Sequence, residues 1–167
     1  GYFMPQQFEN KANPQKHYET TAEEILRDIP DIDVFVAGVG SGGTIVGVGR
    51  KLKELKPDVK VVAVEPEKSP VLSGGNPGAH KIQGIGAGFV PGVYSKDIVD
   101  EIFEVSDEDS YKVAKEFATK EGVLIGISSG AALYAGIEIA KKLGRNKKIV
   151  VISPDGGEKY FSSGLYD

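Results

Sequence analysis

The sequence contains no cysteine. That absence removes disulfides, thiolate metal ligands and cysteine nucleophiles together, and it fits a cytoplasmic protein. Basic clusters are missing too: the formal net charge is −4, and no segment gathers Lys and Arg into a patch. Nucleic acid needs a basic footprint, so it is not an expected partner. No apolar run approaches the roughly 18 residues that would span a bilayer. No charged stretch followed by an apolar one marks a signal peptide. His17 and His80 are the only histidines. Without cysteines or paired spacing they give no reason to expect a metal site.

What is present is ordinary in bulk. A length of 167 residues, 40% hydrophobic and 26% charged, suits one soluble globular domain. The 22 glycines cluster at a few places, which points to close backbone approach to a ligand. The chain opens with Gly1-Tyr2-Phe3-Met4, inside an apolar segment, and that opening suggests a fragment.

Asn13-Pro14 reads as a helix start with Pro at the first helical position. The helix is expected to run to Asp28, with Ala22, Ile25 and Leu26 on its apolar side. Val34-Phe35-Val36-Ala37 is a short run of β-formers, hence a buried strand. Ile45, Val48, Leu52 and Leu55 then recur at helical spacing up to Lys56, before Pro57. Val61 to Val64 is a second buried strand. Residues 66–99 hold four of the nine prolines (Pro66, Pro70, Pro77, Pro91) and read as a long functional loop region. Ile102 to Val105 is a strand. Ser106 with Asp109 resembles a capping box, and Asp107-Glu108-Asp109 suits a first helical turn. Helices 107–121 and 129–143 follow, then the strand Ile149 to Ile152. Apolar strands alternating with helices predict an α/β fold: a doubly wound, mostly parallel sheet with helices on both faces. Ligands of such sheets sit at the C-terminal strand ends, at the topological switch point.

The glycine-rich turn Gly38-Val39-Gly40-Ser41-Gly42-Gly43-Thr44 lies at one such end. Glycines let backbone N–H groups point inward, and the following helix adds its partial positive charge. Ser41 and Thr44 can donate hydroxyl hydrogen bonds. Neutral donors of this kind hold a terminal phosphate monoester, and the first cation is Arg50. A P-loop would need Lys where Gly43 stands. A dinucleotide site is a stronger rival, because Gly38, Gly40 and Gly43 fit G-x-G-x-x-G. Glu65 follows about 20 residues on, where an acid would bind ribose. A tight turn that binds nothing is the blander reading, disfavoured by four glycines among the six residues before Thr44.

Five segments in order resemble the cysteine synthase (O-acetylserine sulfhydrylase) family. Gly38 to Thr44 resembles its phosphate loop. Gln6-Gln7-Phe8-Glu9-Asn10-Lys11-Ala12-Asn13-Pro14 resembles its Q-Q-F-x-N-x-A-N-P. Val64-Glu65-Pro66 with Ser69-Pro70-Val71 resembles V-E-P and S-P-V. His80 to Pro91 resembles H-K-I-Q-G-I-G-A-G-F-x-P. Gly126-Ile127-Ser128-Ser129-Gly130-Ala131-Ala132 resembles G-I-S-S-G-A-A. The resemblance covers nearly the whole chain, and the G-A-G-F version favours cysteine synthase over cystathionine β-synthase. It implies a fold-type II pyridoxal 5'-phosphate (PLP) enzyme of the cytoplasm, working as a homodimer. The implied reaction is β-replacement: O-acetyl-L-serine loses acetate and sulfide takes its place, giving L-cysteine. Gly40, Ser41, Gly42, Gly43 and Thr44 would hold the cofactor phosphate. Ser128 would hydrogen-bond the pyridine nitrogen. Gln7 and Gly84 would contact substrate. The C-terminal peptide of serine acetyltransferase would bind at the active-site mouth.

Two family motifs are missing. The cofactor-bearing lysine sits in an S-x-K context, and the substrate carboxylate loop reads T-S-G-N-T-G; neither occurs here. Ser73 to Gly78 matches the second only superficially, and Lys51, Lys81 and Lys159 lack the context of the first. Residues 1–167 are therefore expected to be the C-terminal, PLP-phosphate-binding portion, with no catalytic lysine of its own and inactive without an N-terminal half. The other readings are an NAD-binding Rossmann domain and a non-catalytic binding module. His17 is expected on a helix surface and His80 in a loop-stabilising role. Ser128 and Ser129, without the resemblance, read as helix caps. Asp155 and Glu158 follow a strand end and receive no role.

Overall fold

The computed structural model describes residues 1–166. Four strands, β1 (Val34–Gly38), β2 (Lys60–Pro66), β3 (Glu101–Val105) and β4 (Ile149–Val151), form one sheet in the order β3-β2-β1-β4. Every neighbouring pair is parallel, with Phe35 level with Val61 on one side and Val150 on the other.

Side chains alternate along a strand, so the two faces of β1 and β2 bury different residues. Val34, Val36, Val62 and Val64 enter one core with Ala114, Ile127, Ala131 and Ile139. Phe35, Ala37, Val61 and Ala63 enter the other with Ala22, Ile45, Val48 and Leu52. Burial on both faces explains why these strands read as continuous apolar runs. The expected α/β fold is present: α2 (Thr21–Asp28) and α3 (Gly43–Leu55) supply the second core, α4 (Asp107–Glu121) and α5 (Ile127–Leu143) the first. The chain runs β1, β2, β3 in one direction across the sheet, and β4 then returns to the far side of β1. The switch point is therefore at the carboxyl ends of β1 and β4.

The N-terminal helix differs from expectation. It is two helices, α1 (Ala12–Glu19) and α2, broken at Thr20, whose backbone leaves the helical region at φ −122°, ψ −69°. Thr20 folds its hydroxyl back onto the Lys16 carbonyl at 2.9 Å, a local bond that competes with helix continuation. Pro14 is the third residue of α1 rather than the first, and it is buried. At the start of α4, Ser106 accepts from the Asp109 N–H at 3.0 Å, and its hydroxyl donates to the Asp109 carboxylate at 2.7 Å. That is the expected cap, with the side-chain carboxylate as the reciprocal partner. No helix among the described residues is long and apolar enough to cross a membrane.

The 66–99 region is irregular apart from a 3-10 turn at Lys96–Ile98, yet it is tethered. Asp107 accepts from the Lys81 N–H at 2.8 Å and from the Lys68 ammonium at 2.7 Å. His80 accepts the Ile82 N–H on Nδ1, which leaves Nε2–H to donate to the Gly86 carbonyl at 3.0 Å. His80 is thus a loop-stabilising residue.

Candidate functional site

β1 ends at Gly38, α3 begins at Gly43, and the residues between wind over the strand end. Gly42 caps the helix at φ +87°, a conformation that disfavours any Cβ. A Cβ on Gly40 would lie 2.4 Å from the Gly84 carbonyl oxygen. The loop and the 84–88 segment can come this close only because the position is glycine. The Gly86 N–H donates to the Val39 carbonyl at 3.0 Å and fastens the two segments together.

Helix α1 lies across the start of α3. Glycine permits this as well: a Cβ on Gly43 would meet the Asn13 side chain, and one on Gly47 would meet the Pro14 carbonyl and His17. Asn13 and His17 are four residues apart, hence on one helix face. The Asn13 amide nitrogen donates to the Gln7 carbonyl at 2.8 Å and to the Ser41 hydroxyl oxygen at 2.9 Å. A carbonyl can only accept, which fixes the orientation of the amide. Ser41 is therefore an acceptor there, and its own proton is free. His17 is not a bare surface residue. It is half-buried, with Nδ1 at 3.0 Å from the Thr21 hydroxyl and Nε2 at 3.2 Å from that of Thr44. Burial pushes its pKa below the usual histidine value, favouring the neutral ring.

A cleft of about 260 Å³ opens at the switch point. Gly40, Ser41, Gly42 and Thr44 line it from the loop, Gly84 from the long connection, Ser128 from α5, and Asp155 and Tyr160 from the segment after β4. Five of the six expected phosphate-loop and ring residues thus line one space. The sixth, Gly43, lies beneath it as the first residue of α3. Gln7 is exposed on a turn outside the cleft, joined to the loop only through its carbonyl and Asn13. No lysine or arginine is among the lining residues.

Ser128 is 4% exposed, and among the described residues its hydroxyl has no hydrogen-bond partner. Neither serine caps the helix: Gly126 holds the N-cap position. The segment after β4 is stitched to the start of α5, with Gly126 N–H donating to the Asp155 carbonyl at 3.0 Å and Gly157 N–H to Leu124 at 3.1 Å. Tyr160 donates to one Asp155 carboxylate oxygen at 2.7 Å, and the other oxygen is buried without a partner among the described residues. Burial, then the hydrogen bond to Asp155, pushes the Tyr160 phenol up to about 12.

Glu65 is fully engaged elsewhere. It is 2% exposed, and its carboxylate accepts from Leu72 N–H at 2.8 Å, Ser73 N–H at 2.9 Å and the Ser73 hydroxyl at 2.6 Å. An acid closed off in this way is not available to a ribose, which removes the main support for a dinucleotide site. Sequence reasoning missed Asn13, His17, Asp155 and Tyr160. The i, i+4 spacing of Asn13 and His17 does not say what the shared face meets, and the place of Asp155 after a strand end did not fix a role for it. Among the described residues no cluster of three or more His, Cys, Asp or Glu could hold a metal ion.

Residues 1–155 match the family described as pyridoxal-phosphate dependent enzyme. A cysteine synthase of Staphylococcus aureus is 52% identical over 99% of this chain and 54% of its own length. The chain spans about half the length of the curated relatives it matches. The crystal structure of a cysteine synthase from Entamoeba histolytica superposes with a TM-score of 0.96 at 46% identity, over 99% of this chain and 49% of that one. An O-acetylserine dependent cystathionine β-synthase from Helicobacter pylori gives 0.94 at 41% identity, over 99% and 54%.

Proposed function

We propose, for a chain that belongs to the pyridoxal-phosphate dependent enzymes, that it forms the cofactor-phosphate half of an enzyme making L-cysteine from O-acetyl-L-serine and sulfide. One observation carries the reading: a lysine-free cradle of glycine backbone and two hydroxyls faces the Ser128 hydroxyl, unpartnered among the described residues, across a single cleft.

The residues fit the cofactor at both ends. At the loop, Gly40, Ser41, Gly42, Gly43 and Thr44 present backbone donors and hydroxyls at a helix N-terminus, which suits a phosphate monoester dianion. A side chain at Gly40 would collide with the Gly84 carbonyl and close the cradle. At the other end, Ser128 holds a hydroxyl with no competing partner, placed to hydrogen-bond a pyridine nitrogen. When bound, the pyridoxal ring supplies an electron sink that lets the β-substituent of an amino acid leave and a nucleophile enter. A neutral serine keeps that sink weaker than a carboxylate would, which favours β-replacement. Gly84, at φ +92° above Ser128, offers its backbone to substrate at the mouth. Gln7 stays assigned to the substrate carboxylate by the family resemblance, although it stands on a turn outside the cleft.

The lysine that carries the cofactor and the loop that grips the substrate carboxylate belong, in this reading, to a separate N-terminal half. The cleft itself offers no amine, and Lys159 is exposed, its ammonium 4.0 Å from Asp155. The reading extends to a cytoplasmic homodimer whose mouth receives the C-terminal peptide of serine acetyltransferase.

The test is a cysteine-production assay on this chain, on the chain paired with a separately expressed N-terminal half, and on the joined enzyme. The chain alone makes no cysteine, and the pair restores turnover and PLP retention. Turnover by the isolated chain at the joined enzyme's rate overturns the division of labour. A pair that binds NAD and not PLP overturns the function. A preference for homocysteine over sulfide replaces cysteine formation with cystathionine formation.

A further inference from the structure

Helix α1 crosses the phosphate loop and touches both of its hydroxyls, Ser41 through Asn13 and Thr44 through His17. We infer that α1 is a positioning element that sets these two hydroxyls as donors, and that His17 does so as the neutral Nε2–H tautomer.

This inference rests on the loop being a phosphate cradle. A phosphate monoester at neutral pH has oxygens that accept hydrogen bonds, and a hydroxyl has a single proton to give. Any neighbour that takes the proton of Ser41 or Thr44 removes a donor from the cleft. At Ser41 the matter is closed by geometry. The Asn13 amide is oriented by the Gln7 carbonyl and donates to Ser41 Oγ, leaving the Ser41 proton free. At Thr44 the same outcome requires His17 Nε2 to carry the hydrogen and donate to Thr44 Oγ1, 3.2 Å away.

The other ring nitrogen is compatible with that assignment, since a hydroxyl can donate or accept. Nδ1 lies 3.0 Å from Thr21 Oγ1, one turn later and across the break at Thr20. With Nδ1 as acceptor, the Thr21 hydroxyl donates to it, and the relay runs Thr21 O–H to Nδ1, Nε2–H to Thr44 Oγ1, and Thr44 O–H into the cleft. Reversing the tautomer reverses every bond, and the Thr44 proton then points away from the ligand. Half-burial pushes the ring's pKa down and favours the neutral form, in which one nitrogen accepts. Thr21, four residues after His17, thus meets the second ring nitrogen. The glycines at 43 and 47 bring α1 within reach.

Nitrogen-15 NMR of the imidazole in this chain reads the tautomer directly, without any ligand. The Nε2–H pattern is expected at neutral pH. A dominant Nδ1–H or doubly protonated ring overturns the inference. Binding of PLP and of inorganic phosphate to the chain paired with its N-terminal half, followed by absorbance and phosphorus NMR, gives the second readout. His17→Phe keeps the ring shape without the hydrogen bond and weakens PLP about tenfold. His17→Gln restores a donor near the Nε2 position and stays within about threefold of the parent. Circular dichroism on both variants checks that the fold is kept. Equal affinity of His17→Phe and parent overturns the positioning role. Should the parent bind neither PLP nor phosphate, the cradle reading itself fails, whatever the tautomer.

Discussion

The two sides of the cleft are built on different principles. The loop side is made of backbone. Its glycines allow close approach, and its two hydroxyls are already engaged by α1 through Asn13 and His17. The α5 side is made of side chains, and two are unfinished. The Ser128 hydroxyl and one oxygen of Asp155 have no partner among the described residues, the latter while buried. A buried polar atom without a partner costs roughly 1–3 kcal/mol. The loop side is therefore held in position by α1, with the Ser41 proton left free.

The largest effect is expected on the loop side. Gly40→Val in the complete enzyme forces a branched side chain against the Gly84 carbonyl, 2.4 Å from where its Cβ would stand. Overpacking of this kind costs about 1–3 kcal/mol, and the collision lies inside the cradle. PLP affinity falls between about tenfold and a hundredfold, read by cofactor absorbance after dialysis. Normal PLP content in this variant would falsify the assignment of the loop to the phosphate.

The same contrast explains what was legible in the sequence. The strands were legible because Val34 to Ala37 and Val61 to Val64 are buried on both faces, and such burial leaves a continuous apolar run. The loop was legible because its chemistry is carried by glycine, which marks backbone shape at the level of residue identity. The α5 side was not legible without the family resemblance, since a serine in a first helical turn reads equally as a cap. Gly126 in fact holds that place. Helix periodicity shows that Asn13 and His17 share a face, but which element meets that face is decided by a contact 27 residues away in sequence, His17 with Thr44. Glu65 shows the same limit. An acid at a strand end suits a ribose or a loop clamp, and only the fold of residues 66–99 decides for the clamp. Thr20 ends α1 without Gly or Pro, so the break had no strong local marker.

A middle-sized effect is expected where the α5 side is tied to the C-terminal segment. Tyr160 donates to Asp155, and Tyr160→Phe leaves a carboxylate with neither oxygen bonded by a tyrosine. The loss is about 1.5–3 kcal/mol at neutral pH, measured by urea unfolding. The pH dependence has a definite sign. The Tyr160 phenol titrates near 10 when unfolded and at about 12 when folded. Its contribution is complete below pH 10 and falls as pH rises toward 12, because the unfolded chain releases its proton first. The parent therefore loses stability across that window more steeply than Tyr160→Phe does. Parallel slopes for the two proteins would show that the phenol is not held by Asp155.

The smallest effect on stability is expected at Ser128, and its smallness sharpens the contrast between the two sides. Ser41 is tied to Asn13, so its removal breaks a bond within the folded chain. Ser128 makes no such bond, and its side chain is short enough that alanine fills nearly the same space. Alanine is also at least as good a helix former as serine. Ser128→Ala should therefore unfold within about 0.5 kcal/mol of the parent, while Ser41→Ala loses about 1 kcal/mol. The complete enzyme, loaded with PLP, shows where the Ser128 hydroxyl does matter. Ser128→Ala retains most of the cofactor, because the cradle is intact, but the absorption of bound cofactor shifts and the first half-reaction slows. Ser128→Asp places a carboxylate in the same position, where it holds a proton at the ring nitrogen and moves the absorption differently. Two measurements decide the matter, a urea titration without cofactor and an absorption spectrum with it. A Ser128→Ala variant destabilised as much as Ser41→Ala would mean that its hydroxyl has a partner within the chain. Unchanged spectra in both Ser128 variants would remove it from the ring nitrogen and leave the loop as the only part of the cleft assigned to the cofactor.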